Sequence, residues 1–278
     1  AQSAYRRSIT SSERDSLIAF YNQCIQLPNA DHRSAMEDTL VSILVSPAFL
    51  YRWDLQCPTD SVTELRGEEL ASRWSYFLWA SKPDDMLQRS MEPLLRDASG
   101  DTQSANLNRM LTDERSRGMV LEFLGNWLDF RRFSDHNGVD REQFPSFGDT
   151  LRQSMADEPV EYFLDLLRRN GSIRELLQSD HMIINGPLSQ HYGIGSISQE
   201  STTRWERVEH ASKVGRGGLL SMAVFLTQNS PGQRTSPVKR GYWVVRKLLG
   251  EMIPPPPPNV PELPALEHQL GDLTLREL

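Results

Sequence analysis

"RGEELASRWSYFLWASKPDDML", residues 66–87, decides the fold. Leu70, Ala71, Trp74, Phe77 and Leu78 recur at i, i+1, i+4, i+7 and i+8, the spacing that lines one face of an α-helix with apolar side chains. The stripe reads as core. Ser81, Pro83, Asp84 and Asp85 then spell a second helix start. They supply a cap, a proline tolerated in the first turn, and two carboxylates where the helix dipole favours negative charge. That structural reading of the Asp pair stands against an acid/base or metal role.

The same grammar extends toward the N-terminus. Thr10, Ser11 and Ser12 are capping candidates ahead of "ERDSLIAFYNQCIQL" (13–27). "DHRSAMEDTLVSILVSP" (31–47) carries Met36, Leu40, Ile43 and Leu44 on one face and ends at Pro47. Residues 10–47 read as a helical hairpin. Phe49, Tyr51 and Trp53 in the connection that follows read as packing residues.

Toward the C-terminus, "DTQSANLNRMLTD" (101–113) and "ERSRGMVLEFLGNWLDF" (114–130) read as helices, the second burying Val120, Phe123, Leu124 and Trp127. "DTLRQSMADEPVEYFLDLLRRNG" (149–171) reads as a long helix stopped by Gly171, with a kink or break at Pro159. "RWERVEH" (204–210) is the most strand-like segment, and "GLLSMAVFLTQN" (218–229) is again apolar. No fixed-period repeat is present. The economical fold is all-α: a multi-helix, bundle-like assembly, with at most a small strand pair near residues 203–212 and a C-terminal polyproline segment. Three blocks follow, an N-terminal hairpin domain (1–62), a central helical domain (63–200) and a C-terminal segment with its proline arm (201–278).

Composition bounds function. The chain has 278 residues, 38% hydrophobic and 24% charged, an ordinary globular balance; its net charge of -7 disfavours nucleic acid as a partner. Its apolar runs fall short of the roughly 18 to 20 residues a membrane span needs. No signal peptide is visible at the start, so the chain reads either as cytosolic or as a processed or excised piece of something longer. Its last residues favour the second, because "GDLTLREL" looks like a helix start with no stop signal. Cys24 and Cys57 are the only cysteines; they form a disulfide if the chain is exported, or Cys24 is a small core hydrophobe beside Leu17, Phe20, Tyr21 and Ile25.

No complete catalytic motif appears. The six histidines lack metal-ligand spacing, and the loop holding Asp135, His136, Asn137 and Asp140 has its glycine at the wrong step for a calcium loop, so it reads as a solvated turn. There is no G-x-S-x-G and no catalytic-cysteine signature. Asp157, Glu158 and Glu161 offer carboxylates for sugar hydrolysis, the last two at i and i+3, but any helical protein contains such pairs.

The strongest local constellation is "GQRTSPVKRGYW" (232–243). Thr235 or Ser236 caps a helix that Pro237 opens, and Arg234, Lys239 and Arg240 surround that end with positive charge. Cations at a helix N-terminus oppose its dipole, so a negative partner is expected: an internal carboxylate, or a bound phosphate, sulfate, haem propionate or acidic glycan. The helix presents Trp243, Val244 and Leu248 to the core and stops at Gly250. Pro254 to Pro258 then form a rod of about 15 Å, at about 3.1 Å per residue.

Several segments together resemble a known group: "AYRRSITSSE", "LVSPAFLYR", "ELASRWSYFLWASKPDDML", "NWLDFRRF", "QHYGIG", "TLREL" and the run from "RGGLLSMAVFL" through "RTSPVKRGYWVV" to "PPPPPNVPEL". They are similar to the large secreted proteins of planctomycetes and related bacteria that carry planctomycete-type cytochrome c domains, as three consecutive family domains of unknown function. The resemblance implies an exported, periplasmic or extracellular parent protein engaged in redox chemistry. Haem c is expected in segments of that parent beyond this chain, which has no C-x-x-C-H motif and itself needs no cofactor or metal. The family brings no catalytic residue to carry over. The leading expectation is an accessory, noncatalytic helical domain supporting electron transfer or partner docking. Its partners are the haem-bearing segments, with a further protein or a polysaccharide as the other candidates. The alternatives are an enzyme acting oxidatively or hydrolytically on polysaccharide, which requires distant acidic or histidine side chains to converge in one cleft, and a structural protein-interaction domain.

Overall fold

The computed structural model describes residues 1–51, 65, 67–96, 100–136, 138–195, 197, 201–232 and 235–254. Among these the protein is helical, with a single two-stranded sheet. No helix among them is long and apolar enough to cross a membrane. The chain divides into two compact units, 1–116 and 117–278. Asn137, Trp53, Cys57 with its pairing to Cys24, Arg234, Pro255 to Pro258 and the final "TLREL" lie outside the described residues.

Unit 1 begins with α1 (Gln2–Tyr5), α2 (Ser11–Cys24), α3 (His32–Leu44) and α4 (Pro47–Leu50). Thr10 starts α2 with a full capping box, its hydroxyl accepting from the Glu13 N–H while Glu13 reaches back to the Thr10 N–H. Asp31 and Ser34 do the same for α3, and α2 and α3 pack as the expected hairpin. Arg6, in the left-handed region at φ 59°, gathers the carbonyls of Ala48, Phe49 and Tyr51 at 2.9–3.1 Å, satisfying the end of α4. The hairpin's apolar face is mostly open. Ile43 and Ala35 are buried and so is Cys24, but Met36, Leu40, Leu44 and Tyr51 are exposed.

The rest of unit 1 is α5 (Gly67–Trp79), α6 (Asp85–Arg96) and α7 (Asp101–Thr112), packed on one another around Ala71, Leu78, Trp79, Leu87, Met91 and Met110. The buried face of α5 is turned from the expected stripe: Ala71, Ser75, Leu78 and Trp79 face inward, while Phe77 is 72% exposed. Trp79 sets this orientation, since its Nε1 donates to the Met110 carbonyl at 2.9 Å and the Arg115 guanidinium lies 3.5 Å from its ring centroid. α6 starts later than read: Asp84 caps it, accepting the Leu87 N–H at 2.8 Å, while Pro83 precedes the helix and Ser81 Oγ is buried without a hydrogen-bond partner among the described residues. Asp84 also pairs with Arg109 and Arg115.

Unit 2 is organised on α9 (Asp149–Arg168), which runs as one helix through Pro159. The expected break is absent. Buried neighbours on both sides, from Met155 and Glu158 to Val160 and Tyr162, hold the helix in place across the missing N–H. At its end Asn170 adopts φ 52° and the Gly171 N–H donates to the Leu166 carbonyl at 2.8 Å, so Asn170 rather than Gly171 takes the left-handed turn. Val120, Leu124, Leu128 and Phe130, on and just beyond α8 (Ser116–Trp127), share the core with α9, whereas Phe123 is half exposed. β1 (His181–Ile184) pairs antiparallel with β2 (Glu206–Glu209), His181 opposite Glu209 and Ile184 opposite Glu206. The strand in "RWERVEH" is where it was expected, but its partner comes from the segment before α10 (Gly186–His191).

α11 (Ala223–Gln228) and α12 (Pro237–Trp243) complete the unit, and α12 continues into a π-helical turn, Val244–Leu248. Two indoles tie this end to α8: Trp243 Nε1 donates to the Leu128 carbonyl at 2.9 Å, and Trp127 Nε1 to the Lys247 carbonyl at 2.8 Å. Trp243 is buried and Val244 and Leu248 pack on the core as read. Gly250 closes the helix at φ 71°.

Candidate functional site

Of the residues singled out around 234–240, Thr235, Ser236, Lys239 and Arg240 are among the described ones. Ser236 is buried and its hydroxyl accepts the Lys239 N–H at 3.2 Å, so it caps its own helix. Thr235 and Lys239 are exposed. Arg240 turns to the Leu226 carbonyl at 3.5 Å, and its Nε is buried without a hydrogen-bond partner among the described residues. The three carboxylates of α9 also part company. Asp157 and Glu161 both pair with Arg117, whereas Glu158 points into the core, 3% exposed. They form no facing pair.

Glu158 leads instead to a small cleft lined by Tyr162, His181, Tyr192, Arg216 and Ser221, with Gly217 and Gly218 beside them. Four segments build it. α9 brings Glu158 and Tyr162 one turn apart, β1 brings His181, the end of α10 brings Tyr192, and the loop before α11 brings Arg216 to Ser221. Asn185 fixes the turn between β1 and α10. Its carboxamide oxygen accepts the Leu188 N–H at 3.3 Å, and its Nδ2 donates to Ser154 Oγ on α9 at 2.9 Å. The loop lies flat on its neighbours: a Cβ at Gly217 (φ 124°) would sit 2.0 Å from the Ser179 carbonyl oxygen, and one at Gly218 (φ 67°) 2.8 Å from that of Leu176.

Tyr192 is the hub. Its hydroxyl donates to Glu158 Oε2 at 2.6 Å and accepts the Ala223 N–H at 2.9 Å, while the Arg216 guanidinium lies 3.9 Å from its ring centroid. Arg216 is held in turn by the Ser221 carbonyl at 2.5 Å. Burial raises the Glu158 carboxyl to about 7, against smaller downward pulls from the Tyr192 hydroxyl and the Arg216 charge. Burial and then the Glu158 charge push the Tyr192 phenol well above its ordinary value.

His181 closes the other side. It is buried and stacked on Tyr162 with ring centroids 5.1 Å apart, and its Nδ1 meets Ser179 Oγ at 2.8 Å. Its Nε2 has no hydrogen-bond partner among the described residues and sits 3.9 Å from Asp165 Oδ2. Burial, then Arg207 and Arg169, lower its basicity. Asp165 also accepts from Arg169 and Arg207, at 2.8 and 3.0 Å. The cleft thus combines a carboxyl that changes charge near neutrality, a neutral imidazole and a guanidinium. Among the described residues no group of three or more His, Cys, Asp or Glu is placed to hold a metal ion.

The sequence marks Glu158 as one of three carboxylates on offer for sugar hydrolysis and gives no motif that marks Tyr192 or Arg216. A usable signal existed: Glu158 lies in register with Leu151, Met155, Tyr162 and Leu166, an acid inside an apolar helical face.

Residues 1–54, 65–194 and 216–278 match three family models, each described as a protein of unknown function: DUF1595, DUF1592 and DUF1588 in chain order. The second match holds Glu158, Tyr162, His181 and Tyr192 and the third holds Arg216 and Ser221, so the cleft draws on both. Neither the curated proteins nor the solved structures compared with the chain gave a match.

Proposed function

From a chain that carries three consecutive domains of unknown function, DUF1595, DUF1592 and DUF1588, in the pattern of the planctomycete-type cytochrome c-associated proteins, we propose an accessory, noncatalytic role. It is an exported helical module that docks the haem-bearing segments of its parent protein and so supports electron transfer. The observation behind this reading is the open apolar face of unit 1. Leu40, Val41, Leu44 and Val45, at i, i+1, i+4 and i+5 along α3 and its end, and Leu50 and Tyr51 at the end of α4, are each 49–64% exposed. Apolar side chains grouped in this way mark interaction surfaces. Arg234, Lys239 and Arg240 supply a second contact in this reading, for an acidic partner.

The test supplies the haem-bearing segment in trans and follows co-elution by haem absorbance, for the wild type and for the double variant Val41→Lys, Leu44→Lys. Co-elution with the wild type and its loss with the variant are expected. A wild-type chain that leaves the haem-bearing segment behind, or a variant that still carries it, overturns the reading. Cell fractionation checks the exported location.

One observation favours a second reading, an enzyme acting on polysaccharide: Glu158, His181, Tyr192 and Arg216 come from separate segments to one cleft. A carboxyl still protonated near neutral pH is in the state a general acid needs. Release of soluble sugar by the wild type but not by Glu158→Gln would support it. A wild type inert toward a panel of polysaccharides would sink it.

A further inference from the structure

α12 and the π-helical turn that continues it keep one side on the core and leave the other open. Trp243 is buried and Val244 and Leu248 pack on the core, while Val238, Tyr242 and Leu249 are 50–69% exposed and Val245 is half-buried. The last four stand at i, i+4, i+7 and i+11, the spacing of an apolar seam between helices. Met252, 85% exposed, extends the surface past Gly250, whose φ of 71° ends the helix. Residues 237–250 also hold Lys239, Arg240, Arg246 and Lys247 and no acid, in a chain of net charge -7. Lys247 pairs with Asp129, and Arg240 turns to the Leu226 carbonyl. Lys239 and Arg246 are exposed without an ion-pair partner among the described residues, Arg246 lying 5.9 Å from the Tyr242 ring centroid. An open apolar stripe framed by unpaired cations fits an occupant that is both apolar and acidic.

The chain itself carries one. Residues 262–278, "ELPALEHQLGDLTLREL", place Leu263, Leu266, Leu270 and Leu273 at i, i+3, i+7 and i+10, and set Glu262, Glu267, Asp272 and Glu277 against a single arginine, Arg276. We propose that this segment docks in cis on the open face of α12, its leucines on Val238, Tyr242, Val245 and Leu249 and its carboxylates on Lys239 and Arg246. A rod of about 15 Å formed by Pro254 to Pro258 is close to the length of that face, at most about 18 Å. The tether therefore spans the face, and it holds the segment at an effective concentration of order millimolar, so that even a weak contact is formed. A second copy of α12 is the poorer occupant, because it brings the same four cations against these four. Once docked, the segment covers Lys239, which the reading above offers to an acidic partner, so that partner has to displace it. The contact does not involve the apolar face of unit 1, and a failed haem co-elution leaves it standing.

Hydrogen exchange of the full chain, with a synthetic peptide 262–278 as the undocked reference, reads the contact. Amides of 262–278 in the wild type are expected to exchange at least about tenfold slower than in the peptide. Lys239→Glu with Arg246→Glu is expected to bring them to the peptide's rate. Adding Glu267→Lys and Asp272→Lys to that variant is expected to restore the slow exchange, which only a contact between these charges does. Peptide-like exchange in the wild type, protection kept in Lys239→Glu with Arg246→Glu, or no recovery in the charge swap overturns the proposal. So does protection that rises with protein concentration, the mark of a second copy, or that appears only with phosphatidylglycerol vesicles. Circular dichroism checks that each variant folds. Where the charge variants do not, Tyr242→Ser at the middle of the stripe decides: loss of protection in 262–278 is expected, and its retention overturns the proposal.

Discussion

Glu158 ionises at about 7 in the folded protein, against 4.5 for an ordinary glutamate. The folded chain therefore holds more protons than the unfolded chain between those values. Its contribution is fully present below about pH 4.5 and is lost as pH rises through 7. The loss is of order 3 kcal/mol, from about 1.4 kcal/mol per pKa unit. Urea midpoints across that range should fall in the wild type relative to those of Glu158→Gln. Asp113 carries the opposite sign: a hydrogen bond from Arg115 holds its carboxyl down at about 2. Its stabilisation is present above the ordinary carboxylate pKa and disappears as pH falls toward 2. A second drop in unit 1, smaller in Asp113→Asn because Glu13 is held down in the same way, is expected below about pH 4 by near-ultraviolet circular dichroism.

At the scale of an element, α5 shows how a helix chooses its face. Leu70, Trp74, Phe77, Leu78 and Trp79 spread apolar surface around much of the cylinder, so periodicity alone leaves the buried direction open. Trp79 resolves it, because its indole N–H has an acceptor at Met110 and its ring a cation at Arg115. Trp79→Ala should cost about 3–5 kcal/mol in denaturant titrations, whereas Phe77→Ala, at an exposed position, should stay within about 0.5 kcal/mol. Helix ends are more legible than faces. The Thr10–Glu13 box, the Ser236 cap and the Gly250 stop all stand where the residue types place them. Ser236→Ala should lower stability by about 1 kcal/mol through loss of the cap. A loss of association without that change in stability would mean instead that the hydroxyl has a second role.

For the whole molecule, the division at 116/117 predicts that residues 1–116 and 117–278, expressed separately, each unfold cooperatively. The second fragment should keep the pH response of Glu158, since every group that contacts its carboxyl lies within it. Calorimetry of the fragments checks both statements, and a fragment with no transition of its own would refute the first. The helical class, the hairpin of 10–47, the helix starts at Thr10 and Ser236 and a strand in 204–210 were determined by the sequence alone, because caps, dipole-matched charges and apolar spacing act over a few residues. Only the tertiary structure decided that Glu158 turns inward while Asp157 and Glu161 turn to Arg117, that Leu40 and Leu44 stay open, and that β2 finds its partner at 181–184. Each of these depends on which distant segment removes a side chain from water, and no local pattern records that.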